Sequence, residues 1–221
     1  MSYGVKVEVW GDYALFTRPE LSVERVSYDV ISPSAARGIL ESLYWHPGMK
    51  YQVDRIHVLN PIRFTNVRRN EVKSKALASS FRAVMSNGGD LPAIYTSEDI
   101  QQRASMMLRD VRYVIEAHFD MTDKAQPGDN PGKFKDILMR RLRKGACYSQ
   151  PYLGTRECSC HFREWDAVEP PRGFYSDDGR RDFGIVLYDM DYSNPGSISP
   201  MYYRCIMENG VIDVAGSEVL R

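Results

Sequence analysis

The chain lacks any apolar run approaching the roughly 20 residues that a membrane-spanning helix needs, so a helical membrane protein is excluded and no membrane partner is expected. The opening stretch through Phe16 carries Glu8 and Asp12 in place of a basic-then-apolar leader. Without that pattern the expected location is cytoplasmic. Cysteine and histidine are both scarce, at four residues each. A reducing compartment keeps Cys147, Cys158, Cys160 and Cys205 as thiols. Cys158, Cys160 and His161 form a C-x-C-H run, but on a strand His161 points away from the two cysteines, and zinc sites space such ligands more widely. The carboxylates are scattered, with no D-x-D cluster, and there is no P-loop, G-x-S-x-G elbow, H-E-x-x-H or EF-hand loop. No metal and no cofactor are therefore expected. Any hydrolysis or transesterification would rest on side chains.

Charge of either sign is also missing in net: 29 basic residues balance 29 acidic ones. That excludes a protein that coats nucleic acid indiscriminately, yet the distribution is uneven. Six basic residues (Arg63, Arg68, Arg69, Lys73, Lys75, Arg82) face only Glu71 between positions 63 and 82. Six more (Lys133, Lys135, Arg140, Arg141, Arg143, Lys144) face only Asp136 between 133 and 144. Local patches of this kind can bind phosphates even on a neutral protein, although for either patch alone a solvated face is the preferred reading.

What is present is a globular composition, 43% hydrophobic and 26% charged in 221 residues. That suffices for one large domain or a domain with an appendage. Gly4 to Trp10 alternates as a half-buried strand. Ser32 to His46 is expected to be helical, with Ser32 as N-cap, Pro33 in the first turn and Pro47-Gly48 as the stop. Tyr51 to Phe64 reads as a strand interrupted by Pro61. Thr65 to Ser105 reads as a long excursion, with a hairpin turn at Asn87-Gly88-Gly89. Val111 to Asp120 alternates again. Lys133 to Lys144 is expected to be a helix stopped by Gly145, and Tyr148 to Cys158 a fourth strand. Strand, helix, strand, strand, helix, strand is the split βαβ order. The expected fold is α+β: a ferredoxin-like (RRM-like) domain over residues 1–160 with a basic insertion at about 65–105, followed by a small antiparallel β subdomain over 161–221 built on Phe183–Asp189, Met201–Glu208 and Val211–Val214. Tyr44 ends the first helix and Lys133 opens the second, where free N–H groups and the helix dipole favour phosphate. That setting predicts a somewhat lowered lysine pKa. In isolation each residue is also an ordinary helix-end residue.

Several segments resemble the CRISPR-associated Cas-five family of the type I-C (Dvulg) system. They are Trp10-Gly-Asp-Tyr-Ala-Leu-Phe16, Glu41-Ser-Leu-Tyr-Trp45, Gly132-Lys133 with Ile137-Leu138, Tyr152-Leu-Gly-Thr-Arg-Glu-Cys158 and Met207-Glu-Asn-Gly210. The resemblance runs in order over nearly the whole chain. It implies a ferredoxin-like domain, metal-independent cleavage of precursor CRISPR RNA within each repeat, and retention of the product in the type I-C surveillance complex with that complex's other subunits. It carries the family's catalytic tyrosine to Tyr44 and its lysine to Lys133; Lys133 is then expected to stabilise the phosphorane charge, and Tyr44 to orient the 2′-hydroxyl or relay its proton as a base helped by the adjacent lysine. The family histidine follows the lysine directly, and here that position is Phe134. Phe134 cannot move a proton, so His46 or His118 becomes the candidate auxiliary group. Alternatively, Phe134 stacks on a base or packs inward. Arg68, Arg69, Lys73, Lys75, Arg140, Arg141, Arg143, Lys144 and Arg156 are the candidates for gripping the RNA backbone. Two other readings fit the same residues: a subunit that caps the RNA without cutting it, and a general binder of duplex DNA.

Overall fold

The structure, a computed structural model, describes residues 4–21, 23–90, 92–194 and 196–221. Strand β1 (Val5–Ala14) buries Val5, Val7 and Val9 on one face, as its alternation dictates. A two-residue strand β2 (Arg25–Val26) follows. Helix α1 (Pro33–Leu43) begins where expected: the Ser32 hydroxyl accepts from the Ala35 N–H, and Pro33 sits in the first turn. It ends three residues before His46, because Tyr44 turns extended (φ −152°, ψ 126°). The Tyr51 hydroxyl donates to the Tyr44 carbonyl at 3.0 Å and pins that exit.

Strand β3 (Met49–Val58) stops short of Pro61, and β4 (Phe64–Val72) is a separate element. The expected excursion is in fact ordered structure. Helix α2 (Ala78–Asn87) lies between β4 and the 22-residue strand β5 (Ile100–Met121). β4 and β5 pair in antiparallel register from Phe64↔Leu108 to Val72↔Ile100, forming a ribbon. Asn87-Gly88-Gly89 is therefore no hairpin turn. It is the end of α2, where Gly88 takes φ +72°.

Helix α3 (Pro131–Lys144) starts two residues before Lys133 because the Asn130 side chain caps it, accepting from the Lys133 N–H at 2.9 Å. Gly145 closes it in the left-handed region. Tyr148 to Cys158 is not a strand. It is a chain of turns with one bridge, Tyr152↔Ser159. Gly154 lies at φ +87° there, and a Cβ on it would come within 2.1 Å of the Leu15 carbonyl oxygen. The fourth strand of the first sheet region is instead β6 (His161–Glu164), antiparallel to β1. Cys158 and Cys160 are both buried, and His161 points outward to stack on Trp10.

The C-terminal strands are β7 (Arg180–Asp191), β8 (Ser199–Glu208), β9 (Val211–Asp213) and β10 (Val219–Leu220). They do not form a sheet of their own, because β9 pairs with β3 at Arg55↔Asp213, Ile56↔Ile212 and His57↔Val211. One ten-stranded sheet results, ordered β10-β8-β9-β3-β5-β1-β6, with β2 and β4 on β5 and β7 on β8. Among the described pairings only β2 with β5 is parallel. The fold is α+β: a mostly antiparallel sheet with three helices. α1 packs on β3 and β7, α3 on β6, and the two helices touch. Their apolar stripes (Ala36, Ile39, Leu40 and Leu43; Phe134, Leu138 and Leu142) close the core over Val7, Val9, Ile115 and Phe119. No described helix is long and apolar enough to cross a membrane.

Candidate active site

The contact between α1 and α3 brings the end of one helix to the start of the other. Tyr44, the C-cap of α1, is only 7% exposed and leans on α3. Its ring lies 6.2 Å from that of Phe134, and the Arg141 guanidinium sits over it at 5.3 Å. Arg141 is held in turn by donating to the Leu43 carbonyl at 2.9 Å. Lys133, two turns back on α3, presents a half-exposed amine that donates to Asp129 Oδ1 at 2.9 Å. The second Asp129 oxygen lies 3.9 Å from His46 Nδ1. Tyr44, His46, Asp129, Lys133 and Arg141 thus form one cluster beside Phe134.

The electrostatics differ from the sequence expectation. Burial pushes the Tyr44 phenol above its ordinary value, and the attraction of Lys133 and Arg141 only partly offsets this. Tyr44 remains a protonated phenol at neutral pH. The hydrogen bond that Lys133 donates to Asp129 raises the amine's pKa, where the helix terminus alone would have lowered it. The same bond holds Asp129 below the usual carboxylate range. The lysine is therefore a persistent cation.

Phe134 is fully buried, between Tyr44, His46 (4.8 Å between ring centroids) and Phe119 (6.5 Å). It belongs to the apolar stripe and cannot stack on a nucleobase. His46 lies beside it in the cluster. Its Nδ1 accepts the Gly48 N–H at 3.0 Å, so the neutral ring carries its proton on Nε2. His118 lies elsewhere: it alternates with the inward Phe119 on β5, points to the other sheet face and bonds Asp54 at 2.8 Å.

The expected RNA-gripping residues divide. Arg141 belongs to the cluster. Arg140 and Lys144 project from α3 into solvent, Arg143 bonds Glu164 at 3.0 Å, and Arg156 is exposed on the 153–158 turns. Arg68 points outward from the ribbon, and Lys73 and Lys75 are exposed beyond it. Arg69 is structural in setting: it bonds Glu157, Glu71 (3.2 Å) and the Ser105 hydroxyl (3.0 Å). Sequence reading missed Asp129. Its signal was there, an Asp four residues before Lys133 across an Asn-Pro helix start.

With this geometry in hand, the relatives are informative. Residues 4–215 match the family described as "CRISPR-associated protein (Cas_Cas5)", in its Cas5d form. A protein of Mannheimia succiniciproducens named "CRISPR pre-crRNA endoribonuclease Cas5d" is 45% identical, covering 97% of this chain and 96% of that one. A structure titled "Crystal Structure of CRISPR-associated Protein" superposes with a TM-score of 0.70 at 24% identity, over 100% of this chain and 97% of the other. A chain of a "CRISPR RNA-guided surveillance complex" shares the fold more distantly, with a TM-score of 0.51 at 15% identity over 92% and 88% of the two chains. The chain belongs to the CRISPR-associated Cas5 family, in the Cas5d branch that serves type I-C systems.

Proposed function

We propose that this protein is an endoribonuclease that cuts precursor CRISPR RNA within the repeat, without a metal ion, and stays on the product as a subunit of the surveillance complex in the cytoplasm. The observation that carries the reading is the joint placement of Tyr44, His46, Asp129, Lys133 and Arg141 where α1 ends and α3 begins. The two residues that the family resemblance marks as catalytic lie in that one cluster.

In this mechanism the RNA's own 2′-hydroxyl attacks the adjacent phosphorus. The P–O5′ bond breaks, leaving a 2′,3′-cyclic phosphate and a 5′-hydroxyl. Lys133 and Arg141 neutralise the charge that builds on the phosphorane. Tyr44, kept protonated by its burial, donates to the departing 5′-oxygen, whose alkoxide is the stronger base. His46 Nε2–H supplies a further donor to a phosphate oxygen. Tyr44 and Lys133 keep their protons at neutral pH, and the His46 Nδ1 lone pair is taken by the Gly48 N–H, so the 2′-hydroxyl passes its proton to water. Holding the phosphate in line provides much of the remaining acceleration.

The RNA-binding unit in this reading is ferredoxin-like. Its support is the chain order β1-α1-β3-β5-α3-β6 folded into the spatial order β3-β5-β1-β6, with every adjacent pair antiparallel. Because β6 pairs with β1, the unit extends to Glu164 rather than ending at residue 160. The exposed cations Arg68, Lys73, Lys75, Arg140, Lys144 and Arg156 then serve the RNA backbone outside the cut site.

Incubating the purified protein with its cognate repeat RNA in EDTA tests the reading. One cut with a 2′,3′-cyclic phosphate end is expected. Intact RNA that remains tightly bound would instead make the protein a cap.

A further inference from the structure

A cavity of about 680 Å³ is lined by Trp45, the chain neighbour of Tyr44, and by none of the cluster residues. Three aromatic side chains stand around it with much of their surface in water: Trp45 at 52%, Tyr148 at 75% and Tyr152 at 43% exposed. Exposed aromatics grouped around a concavity call for an occupant. Leu15, Phe16, Tyr28 and Leu187 form its apolar depth, and the hydroxyls of Ser34, Ser42 and Ser149 edge it.

Two features tie this groove to the candidate active site. First, Tyr44 is extended, so the side chains of Tyr44 and Trp45 leave the chain in opposite directions, one toward Lys133 and the other into the groove. Second, the Tyr148 and Ser149 N–H groups both donate to the Ser42 carbonyl, at 2.8 and 3.0 Å, while Arg141 donates to the neighbouring Leu43 carbonyl. The loop that carries Tyr148 and the helix that carries Lys133 are thus both fastened to the last turn of α1.

Gly38 adds an independent observation. It lies mid-helix in α1, lines the groove, and a Cβ there would meet nothing within 4 Å. Glycine inside a helix weakens it relative to alanine, and no neighbouring protein group demands the missing side chain. The space is left for something from outside the chain.

We infer that this groove is a nucleobase subsite, in which an unpaired base next to the scissile phosphate stacks on Trp45 and Tyr148 while the phosphate itself lies against Tyr44 and Lys133. The inference rests on the reading of the cluster as an RNA-cleaving site and names the part of the substrate that its neighbour holds. Single-stranded bases are recognised by stacking on aromatic faces, with hydroxyls bonding their edges. Stacking also explains how a phosphodiester is fixed beside a cluster whose main cation is already paired with Asp129.

The test uses the repeat RNA with a 2′-deoxy nucleotide at the cut, so that binding is read without cleavage. Each unpaired nucleotide is replaced in turn by an abasic one. Against the wild-type protein, one abasic position beside the cut should weaken binding about 10- to 100-fold, the usual effect of a lost base–aromatic stack. Trp45→Ala should weaken binding of the unmodified RNA similarly and then be indifferent to that abasic position. Trp45→Phe should restore most of the loss. Gly38→Leu should raise thermal stability while weakening binding, because it fills the groove without removing a contact.

Additive effects of Trp45→Ala and the abasic RNA, or full affinity in Gly38→Leu, would overturn the inference. Cleavage of unmodified RNA by the wild-type protein is scored separately. If the wild type does not cut, the nuclease reading fails. If it cuts and the base scan is flat, only the subsite fails.

Discussion

Tyr44 and Lys133 keep their protons for opposite reasons, and this sets the pH behaviour expected of the reaction. Burial holds the phenol neutral, and the Asp129 carboxylate holds the amine charged. Both shifts are upward, so both groups stay protonated above the range of an ordinary tyrosine or lysine, about 10. Cleavage should therefore rise with pH through neutrality and well into the alkaline range as the 2′-hydroxyl loses its proton more readily. Rates under single-turnover conditions across pH 6–11 measure this, and a bell centred near neutrality would contradict the assignment. Lys133→Ala should slow cutting about 10²- to 10³-fold, as removal of a charge-stabilising donor does, with much less effect on RNA affinity. Asp129→Asn is a sharper probe. It removes the largest cause of the raised lysine pKa, so the amine should deprotonate at lower pH and the alkaline limb should fall earlier than in the wild type. Of this cluster, Tyr44, Lys133, His46 and Arg141 could be named from the sequence. Asp129 was missed, because its four-residue spacing from Lys133 points to a pair only once α3 is known to start at Pro131 and not at Lys133. His118 was misplaced for a different reason: one histidine on an alternating strand gives no sign of which face the helices cover.

At the scale of elements, caps decide where the chemistry sits. The Asn130 side chain fixes the first turn of α3 by binding the Lys133 N–H, so it positions the lysine as well as stabilising the helix. Asn130→Ala should cost about 0.5–2 kcal/mol of stability and lower the cleavage rate beyond what that loss explains. Asn130→Asp keeps the acceptor and should recover both, as urea unfolding and cleavage assays on the same preparations would show. Gly154 is the corresponding backbone constraint on the other loop. Its positive φ and its approach to Leu15 leave no room for a side chain, so Gly154→Ala should be destabilising by about 1 kcal/mol or more. The capped helices and the strands with one buried face were legible because their patterns have a single physical solution. The β4–β5 ribbon was not. One face of β4 is exposed and the other is only half-buried, through residues as polar as Thr65, Arg69 and Glu71, so the strand carries no clean alternation of apolar and polar residues, and its length comes from register with a partner rather than from local sequence. The 148–158 segment misled in the opposite direction. Leu153 and Cys158 are buried like strand residues, but Gly154 turns the chain against β1.

For the molecule as a whole, the sheet is continuous from β10 to β6, so its centre bears on the stability of both the N-terminal and C-terminal regions. That centre contains a partly buried polar chain on the face away from α1 and α3. Lys6 on β1 bonds Glu116 on β5 at 2.8 Å, and Glu116 bonds His57 on β3 at 3.0 Å. Burial lowers the His57 pKa, and the pull of Glu116 in the other direction does not cancel it. Glu116 is pushed up by burial, but its bonds to Lys6 and His57 outweigh that and hold it low. The signs then follow from linkage. Below about pH 6.5 the unfolded chain protonates His57 freely while the folded chain resists, so the unfolded state binds more protons and stability falls with acidification. Glu116 extends the loss below about pH 4.5, where its unfolded counterpart takes up a proton first. The melting temperature should therefore decline from pH 7 toward pH 5, before ordinary carboxylates titrate. His57→Gln removes the titrating ring and keeps a hydrogen-bonding amide beside Glu116, so it should flatten the slope between pH 7 and 5 even if it lowers stability at every pH. Because β3 joins the C-terminal strands to the rest through β9, circular dichroism and fluorescence should report one shared transition whose midpoint shifts together. An unchanged slope in the variant would assign the acid sensitivity to other groups. Two separate transitions would mean that the strands from β7 onward fold independently of the sheet they complete.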